Sequence, residues 1–554
     1  MSTSDADRAD LLLHGGAVYP VAGDRPWAEA VAVRAGRIVA VGSDRELRDW
    51  VGAATEVVDL DGALVLPGFQ DAHVHPGEGG LTRQRCDLHD LGTRAEYLQA
   101  VRQYADGHPD VPWVLGGGWS MEAFPRGVPD KDVLDAVLPD RPAYLPNRDG
   151  HGAWVNTAAL RLAGISRDTP DPADGRIERD SAGEPSGTLH EGAAALVGRH
   201  VPPPSPAELV AGLLAGQEYL HSLGITGWQD AIVGESTVGP DTFDAYCELD
   251  KSGQLTARVV GALWWRQDRD GDQIAELVHR RSSASGRRFR ATSVKIMQDG
   301  VCENFTAGMT SPYLDAEGRQ TANRGLSFVD PELLKGYVTR LDAEGFQVHF
   351  HAIGDRAVRE ALDAIEAARR ANGMNDRRHH IAHIQVIHPA DLGRFAELAV
   401  VANAQALWAC DEPQMRELTL PFLGPERSGW QYPFAGLLRT GARLACGSDW
   451  PVSTPDPLAE MHVAVNRTPP GASDVEPFLP GQAITLAEAV HGFTMGSAYV
   501  NHVDDLTGSI EPGKYADLAV VDRNLFEHPA AEIADAKVVL TFVGGERVYD
   551  AAAG

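Results

Sequence analysis

The sequence predicts an α/β fold: a (β/α)8 barrel with a small β-sandwich domain built from both chain termini. Three observations lead there. Short strands separated by Gly and Asp turns occupy both ends of the chain, apolar strands alternate with amphipathic helical stretches between them, and eight such strands can be counted. The 554 residues suffice for one large barrel with accessory layers.

At the N-terminus, residues 11–13 form an apolar run before the turn His14-Gly15-Gly16, and 17–19 follow. Residues 30–33 and 37–41 flank Ala35-Gly36, and 56–60 precede Asp61-Gly62. Near the C-terminus, 515–522, 537–543 and 546–549 are strand-like. Neither end has enough strands to bury a core alone, so 1–62 and 506–554 are expected to form one composite β-domain. The barrel is expected over 63–505. Its strands are 63–74, 224–229, 257–264, 291–297, 347–351, 380–384, 400–404 and 443–447. The clearest helix, 355–371, aligns Val358, Ala361, Leu362 and Ile365 on one face. About 150 residues separate the first two strands. They are read as an insertion, its subdomain spanning about 80–200, over the barrel mouth, because a loop after a barrel strand leaves from the catalytic face.

Composition narrows the function. Lys and Arg number 49 against 78 Asp and Glu, a net charge of −29, which argues against general nucleic-acid binding or docking on anionic membranes. The five cysteines lie far apart without a CxxC pair, which suits reduced thiols. With no signal-peptide pattern and no long apolar span, a soluble cytoplasmic protein is expected. The expected partners are a small molecule and, in a homo-oligomer, a second copy forming a dimer.

The strongest local motif is Asp71-Ala72-His73-Val74-His75, ending the first strand. Alternate strand residues share a face, so His73 and His75 can point at one metal. An isolated HxH is more often two packing histidines than a metal site. Here, however, Lys295, His351, His383 and Asp449 end later strands, and parallel strand ends share one mouth.

The strings PGFQDAHVH (67–75), DGHGAWVNTAAL (149–160), GITGWQDA (224–231), HAIGDRAV (351–358), GSDWPV (447–452) and EPGKYADLAVVD (511–522) resemble the amidohydrolase superfamily. The resemblance is to its family 3 branch of YtcJ-like proteins and N-substituted formamide deformylases, the latter through VKIMQDGVCENFTAGM (294–309). It implies a divalent metal, with zinc as the expected ion, in one or two copies. His73 and His75 would hold the first ion, and His351 and His383 the second. A carbamylated Lys295 would bridge them. Otherwise Lys295 is an ordinary lysine paired with Asp299, and the site is mononuclear. Asp449 would touch the first ion and serve as general base and acid.

His151 is either a catalytic donor to the oxyanion or a structural histidine in a turn. His349, deeper in its strand, is expected behind the ligands. Trp119, Trp264, Trp265, Phe305 and Trp408 are expected near the mouth, where they would suit an apolar or aryl substrate group. The expected reaction is C–N hydrolysis of an N-substituted formamide or other small N-acyl compound. A deaminase or cyclic-amide hydrolase is the alternative within the superfamily. A non-catalytic scaffold is the alternative outside catalysis, and the filled ligand set speaks against it.

Overall fold

Eight parallel strands enclose the main core: β1 (Phe69–Val74), β2 (Ile225–Val233), β3 (Arg258–Trp264), β4 (Phe289–Met297), β5 (Gln347–Ala352), β6 (His380–His383), β7 (Val401–Ala404) and β8 (Arg443–Cys446). The computed structural model describes residues 8–21, 26–236, 239–284, 286–472 and 474–553. Each strand pairs with the next in chain order. The ring closes beyond the strand ends, where Asp449 N–H donates to His73 O at 2.7 Å and His75 N–H donates to Trp450 O at 2.8 Å. Every residue of β1 and β5 is buried, and their polar residues Gln70, Asp71, His73, Gln347, His349 and His351 are buried with the apolar ones. The helix Asp355–Asn372 buries Val358, Ala361, Leu362 and Ile365 against them. Val358, Leu362 and Ile365 each contribute roughly 1.5–3 kcal/mol on burial.

The stretch expected as one first strand, 63–74, is two. Leu64–Pro67 pairs antiparallel with Leu518–Val521, while Phe69–Val74 belongs to the barrel. The chain changes sheets at Gly68, where a Cβ would stand 2.3 Å from the Thr226 methyl. Leu64–Pro67 lies in a five-stranded sheet with Ala17–Val18, Leu518–Val521, Val538–Val543 and Glu546–Asp550. A four-stranded sheet of Leu11–His14, Ala30–Arg34, Arg37–Gly42 and Glu56–Asp59 packs over it. Leu13, Val31, Val65, Leu518 and Phe542 fill the layer between. Arg258 at the start of β3 grips the buried Asp517 through Nε at 2.6 Å and Nη2 at 3.0 Å, tying this sandwich to the barrel.

The segment after β1 forms a six-stranded sheet of its own with two small apolar cores. Its strands Gly152–Val155 and Pro185–Glu191 pair antiparallel, with Gly152 opposite His190. That pairing brings His151 and Glu191 side by side over the barrel mouth. Among the described residues, no helix is long and apolar enough to cross a membrane.

Candidate metal centre and active site

His73 on β1, Lys295 on β4, His351 on β5, His383 ending β6 and Asp449 beyond β8 line one cavity of about 510 Å³, with His75 and His151. Asp449 Oδ1 lies 3.1 Å from His73 Nε2 and 2.9 Å from His75 Nε2. Lys295 Nζ stands 3.3 Å from the same His73 nitrogen. His383 Nδ1 is 3.9 Å from Asp449 Oδ2, and the His351 and His383 rings are 4.4 Å apart.

The backbone is shaped to this convergence. A Cβ on Gly447 would stand 2.4 Å from His73 N, so only glycine lets β8 approach β1 this closely. Asp449 (φ 58°) and His383 (φ 74°) both hold left-handed backbone, a strain of order ~1–3 kcal/mol each that surrounding contacts must hold. Asp71 supplies some of them, accepting from Ser448 Oγ at 2.5 Å and from the His73 N–H at 2.9 Å.

A buried hydrogen-bond chain fixes which nitrogen of His73 faces the cavity. Gln229 Nε2 donates to Gln347 Oε1 and Asn501 Oδ1, both at 3.0 Å, so its Oε1 must accept. That oxygen lies 2.7 Å from His349 Nδ1, which therefore carries a proton. His349 Nε2 is left as an acceptor, 2.8 Å from His73 Nδ1. His73 then carries its proton on Nδ1 and presents the Nε2 lone pair to the cavity. Two acceptors, His73 Nε2 and Asp449 Oδ1, thus face each other at 3.1 Å, an arrangement that calls for a cation between them. The buried Nδ1 of His383 has no hydrogen-bond partner among the described residues. Imidazole lone pairs and a carboxylate oxygen are the donor set zinc and its neighbours take. The residues therefore fit a divalent metal, with His73, His75 and Asp449 the tightest group. His349→Phe, which removes the acceptor behind His73, should weaken metal affinity roughly 10–100-fold while the circular dichroism spectrum is retained. Unchanged affinity would contradict the relay.

Electrostatics agree. Burial, then the Lys295 charge, pulls His73 down to about 3. Burial first also drives His349, His351 and His383 well below the usual histidine range. Burial opposes charge on Asp449, but the hydrogen bond from His75 Nε2 favours the carboxylate. Burial lowers Lys295 to about 7, against the pull of Asp449 and Asp230. These histidines are neutral in the fold but take protons when unfolded, so the unfolded chain binds more protons as pH falls. The thermal midpoint of metal-free protein should therefore fall as pH drops from 6.5 toward about 3, and a flat profile would contradict buried neutral imidazoles.

The inserted segment completes the site. His151 Nδ1 donates to Glu191 Oε2 at 2.9 Å, and Thr306 Oγ1 donates to Glu191 Oε1 at 2.6 Å. Burial disfavours the His151 charge, yet Glu191 outweighs it and lifts the imidazole to about 9. The His151 ring lies 5.4 Å from that of His351.

Trp119, Trp264 and Trp408 line the cavity, and Trp408 stacks on His383 with ring centroids 5.4 Å apart. Trp265 and Phe305 are placed elsewhere. Neighbouring residues leave an extended segment on opposite sides, so Trp265 packs under Tyr337 while Trp264 faces the cavity. Phe305 packs against Tyr313 and Phe422. Lys295 makes no ion pair with Asp299, whose carboxyl accepts from the N–H groups of Gly308, Ile353 and Gly354. Sequence reasoning missed Glu191 and Gln229. His190-Glu191-Gly192 carries no spacing signal, and Gln229 acts only through His349.

A family model described as the amidohydrolase family matches residues 56–549. The chain belongs to the amidohydrolase family. It is 32% identical to Protein LONG AFTER FAR-RED 3 of Arabidopsis thaliana, covering 98% of this chain and 92% of that protein. It is 30% identical to YtcJ of Bacillus subtilis, over 97% and 99% of the two chains. It is 28% identical to the N-substituted formamide deformylase of Arthrobacter pascens, over 98% of each. An uncharacterized metal-dependent hydrolase from Pyrococcus furiosus superposes with a TM-score of 0.70 at 25% identity, over 93% of this chain and 99% of that one. This amidohydrolase is thus a metal-dependent hydrolase acting on carbon–nitrogen bonds other than peptide bonds.

Proposed function

We propose that the chain hydrolyses the amide bond of a small N-acyl compound, with N-substituted formamides as the first substrate class. The observation that carries the chemistry is the confrontation of His73 Nε2 and Asp449 Oδ1 at 3.1 Å, beneath a cavity walled by Trp119, Trp264 and Trp408. The aromatic wall suits an apolar or aryl substituent on nitrogen. The 28% identity to a deformylase supports formyl as the acyl group.

His73, His75 and Asp449 would hold one divalent ion, with zinc expected, and His351 and His383 a second. A bound ion supplies Lewis acidity and acidifies water toward neutral pH. Asp449, ionised and at the cavity floor, accepts the proton of the attacking water and returns it to the leaving nitrogen as the C–N bond breaks. His151 directs its second ring N–H toward the carbonyl oxygen as negative charge develops there, its orientation fixed by Glu191.

With its pKa lowered to about 7, Lys295 offers a neutral amine. Addition of CO2 to Nζ with loss of a proton would give an anionic carbamate, an oxygen donor suited to a divalent ion. Labelled bicarbonate should then yield a carbamate carbon signal in 13C NMR, absent in Lys295→Ala.

Glu191→Gln keeps the hydrogen bond but not the charge. It should lower kcat more than it raises KM and move the alkaline limb of the pH profile down; an unshifted profile would contradict the role given to His151. The activity itself is tested by product analysis across N-formyl, N-acetyl and cyclic amides. Formate and a free amine are expected, and ammonia release alone would contradict deformylation.

A further inference from the structure

A second cavity of about 520 Å³ lies at the opposite end of the barrel, where β3 and β4 begin. Arg258, Arg287, Arg288 and Arg290 line it from the barrel side, facing Ala35, Gly36, Tyr515 and Gly544 of the terminal β-domain. Three of these arginines fall within four consecutive positions, in a chain of net charge −29.

Their pairing is unusual. Among the described residues, Arg287, Arg288 and Arg290 make no ion pair and no side-chain hydrogen bond, and Arg288 Nε and Nη1 are buried without a partner. The nearby carboxylates are engaged or turned to solvent. Asp517 takes both Arg258 bonds and the Gly544 N–H. Asp10 accepts the Ala35 N–H, and Asp250 accepts backbone N–H groups of Arg288 and Phe289. Glu546 is exposed at the rim. Arg258 also lies over the Tyr515 ring, 3.8 Å from its centroid, with Arg37 at 4.1 Å. Burial and the Arg258 charge together pull Arg288 below its ordinary range. Burying a guanidinium beside other guanidiniums, with donors unpaired, is costly unless an anion completes the site.

We propose that this cavity binds a small soluble anion bearing a phosphate or similar tetrahedral oxyanion, gripped by Arg287, Arg288 and Arg290 while Arg258 stays paired with Asp517. The planar forks of several guanidiniums match the oxygens of such a group, two at a time. A concave site on a strongly acidic protein admits a compact anion and repels an extended polyanion. Because the cavity is walled by the barrel and by both terminal segments, the ligand would bridge the two domains and stabilise their contact by mass action.

The test uses the full-length metal-loaded enzyme at fixed ionic strength, with inorganic phosphate and sulfate as probes against chloride. A saturable rise in thermal midpoint and a single binding isotherm by calorimetry are expected. Arg287 and Arg290 are exposed, so the double variant Arg287→Ala/Arg290→Ala should fold normally and keep wild-type turnover. Its affinity for either probe should fall roughly tenfold or more. Arg288→Lys, which keeps the charge but removes the fork, should also bind more weakly. The proposal is overturned by a response no larger than that to chloride. It is equally overturned by undiminished binding in the double variant, which would place the anion elsewhere. Tighter retention on phosphatidylglycerol vesicles or duplex DNA than by free phosphate would overturn a soluble small ligand.

Discussion

Asp449→Asn should lower turnover roughly 10²–10⁴-fold at saturating metal, the range general acid–base catalysis supplies. Asparagine keeps the shape of the side chain and one oxygen near His73 and His75, but it cannot take a proton from water or return it to the leaving amine. The fold should survive, because the backbone bond from Asp449 N–H to His73 O and the Asp71–Ser448 brace do not involve the carboxylate. Steady-state kinetics beside circular dichroism check this, and normal turnover in the variant would contradict the base assignment.

His73→Ala should lose activity and metal together. The buried chain from Gln229 through His349 presents the His73 lone pair, and alanine leaves His349 Nε2 without a partner and removes one of the two imidazole nitrogens beside Asp449 Oδ1. Elemental analysis should find the variant depleted of metal under conditions where Asp449→Asn retains it. Acid should mimic the substitution, since imidazole must be neutral to bind a metal and protonation releases the ion. A His73→Ala protein that keeps its full metal content would contradict the ligand assignment.

The rim of the barrel was legible because metal-ligating residue types recur at the C-terminal ends of several strands: His73 in β1, His351 in β5, His383 ending β6 and Asp449 just past β8. The break at Gly68 carried one local signal, the breaker pair Pro67-Gly68, but the change of sheet itself was not legible, because the partners that take Leu64–Pro67, Ala17–Val18 and Leu518–Val521, lie elsewhere in the chain. Trp264 and Trp265 look alike in sequence but leave the strand on opposite sides. Gln229 and Glu191 escaped notice because each acts on a histidine brought to it by tertiary structure. The Arg287–Arg290 cluster was hidden by the overall acidity of the chain, which averages over a local basic site.

Metal content measured against turnover tests the central claim most directly. Purified protein should carry divalent metal, two ions per chain where Lys295 is carbamylated and one where it is not. Removing it by chelation at mildly acid pH should abolish hydrolysis of N-formyl amines, and adding zinc back should restore hydrolysis in proportion to the metal bound. Full hydrolytic activity in metal-free protein would contradict the account.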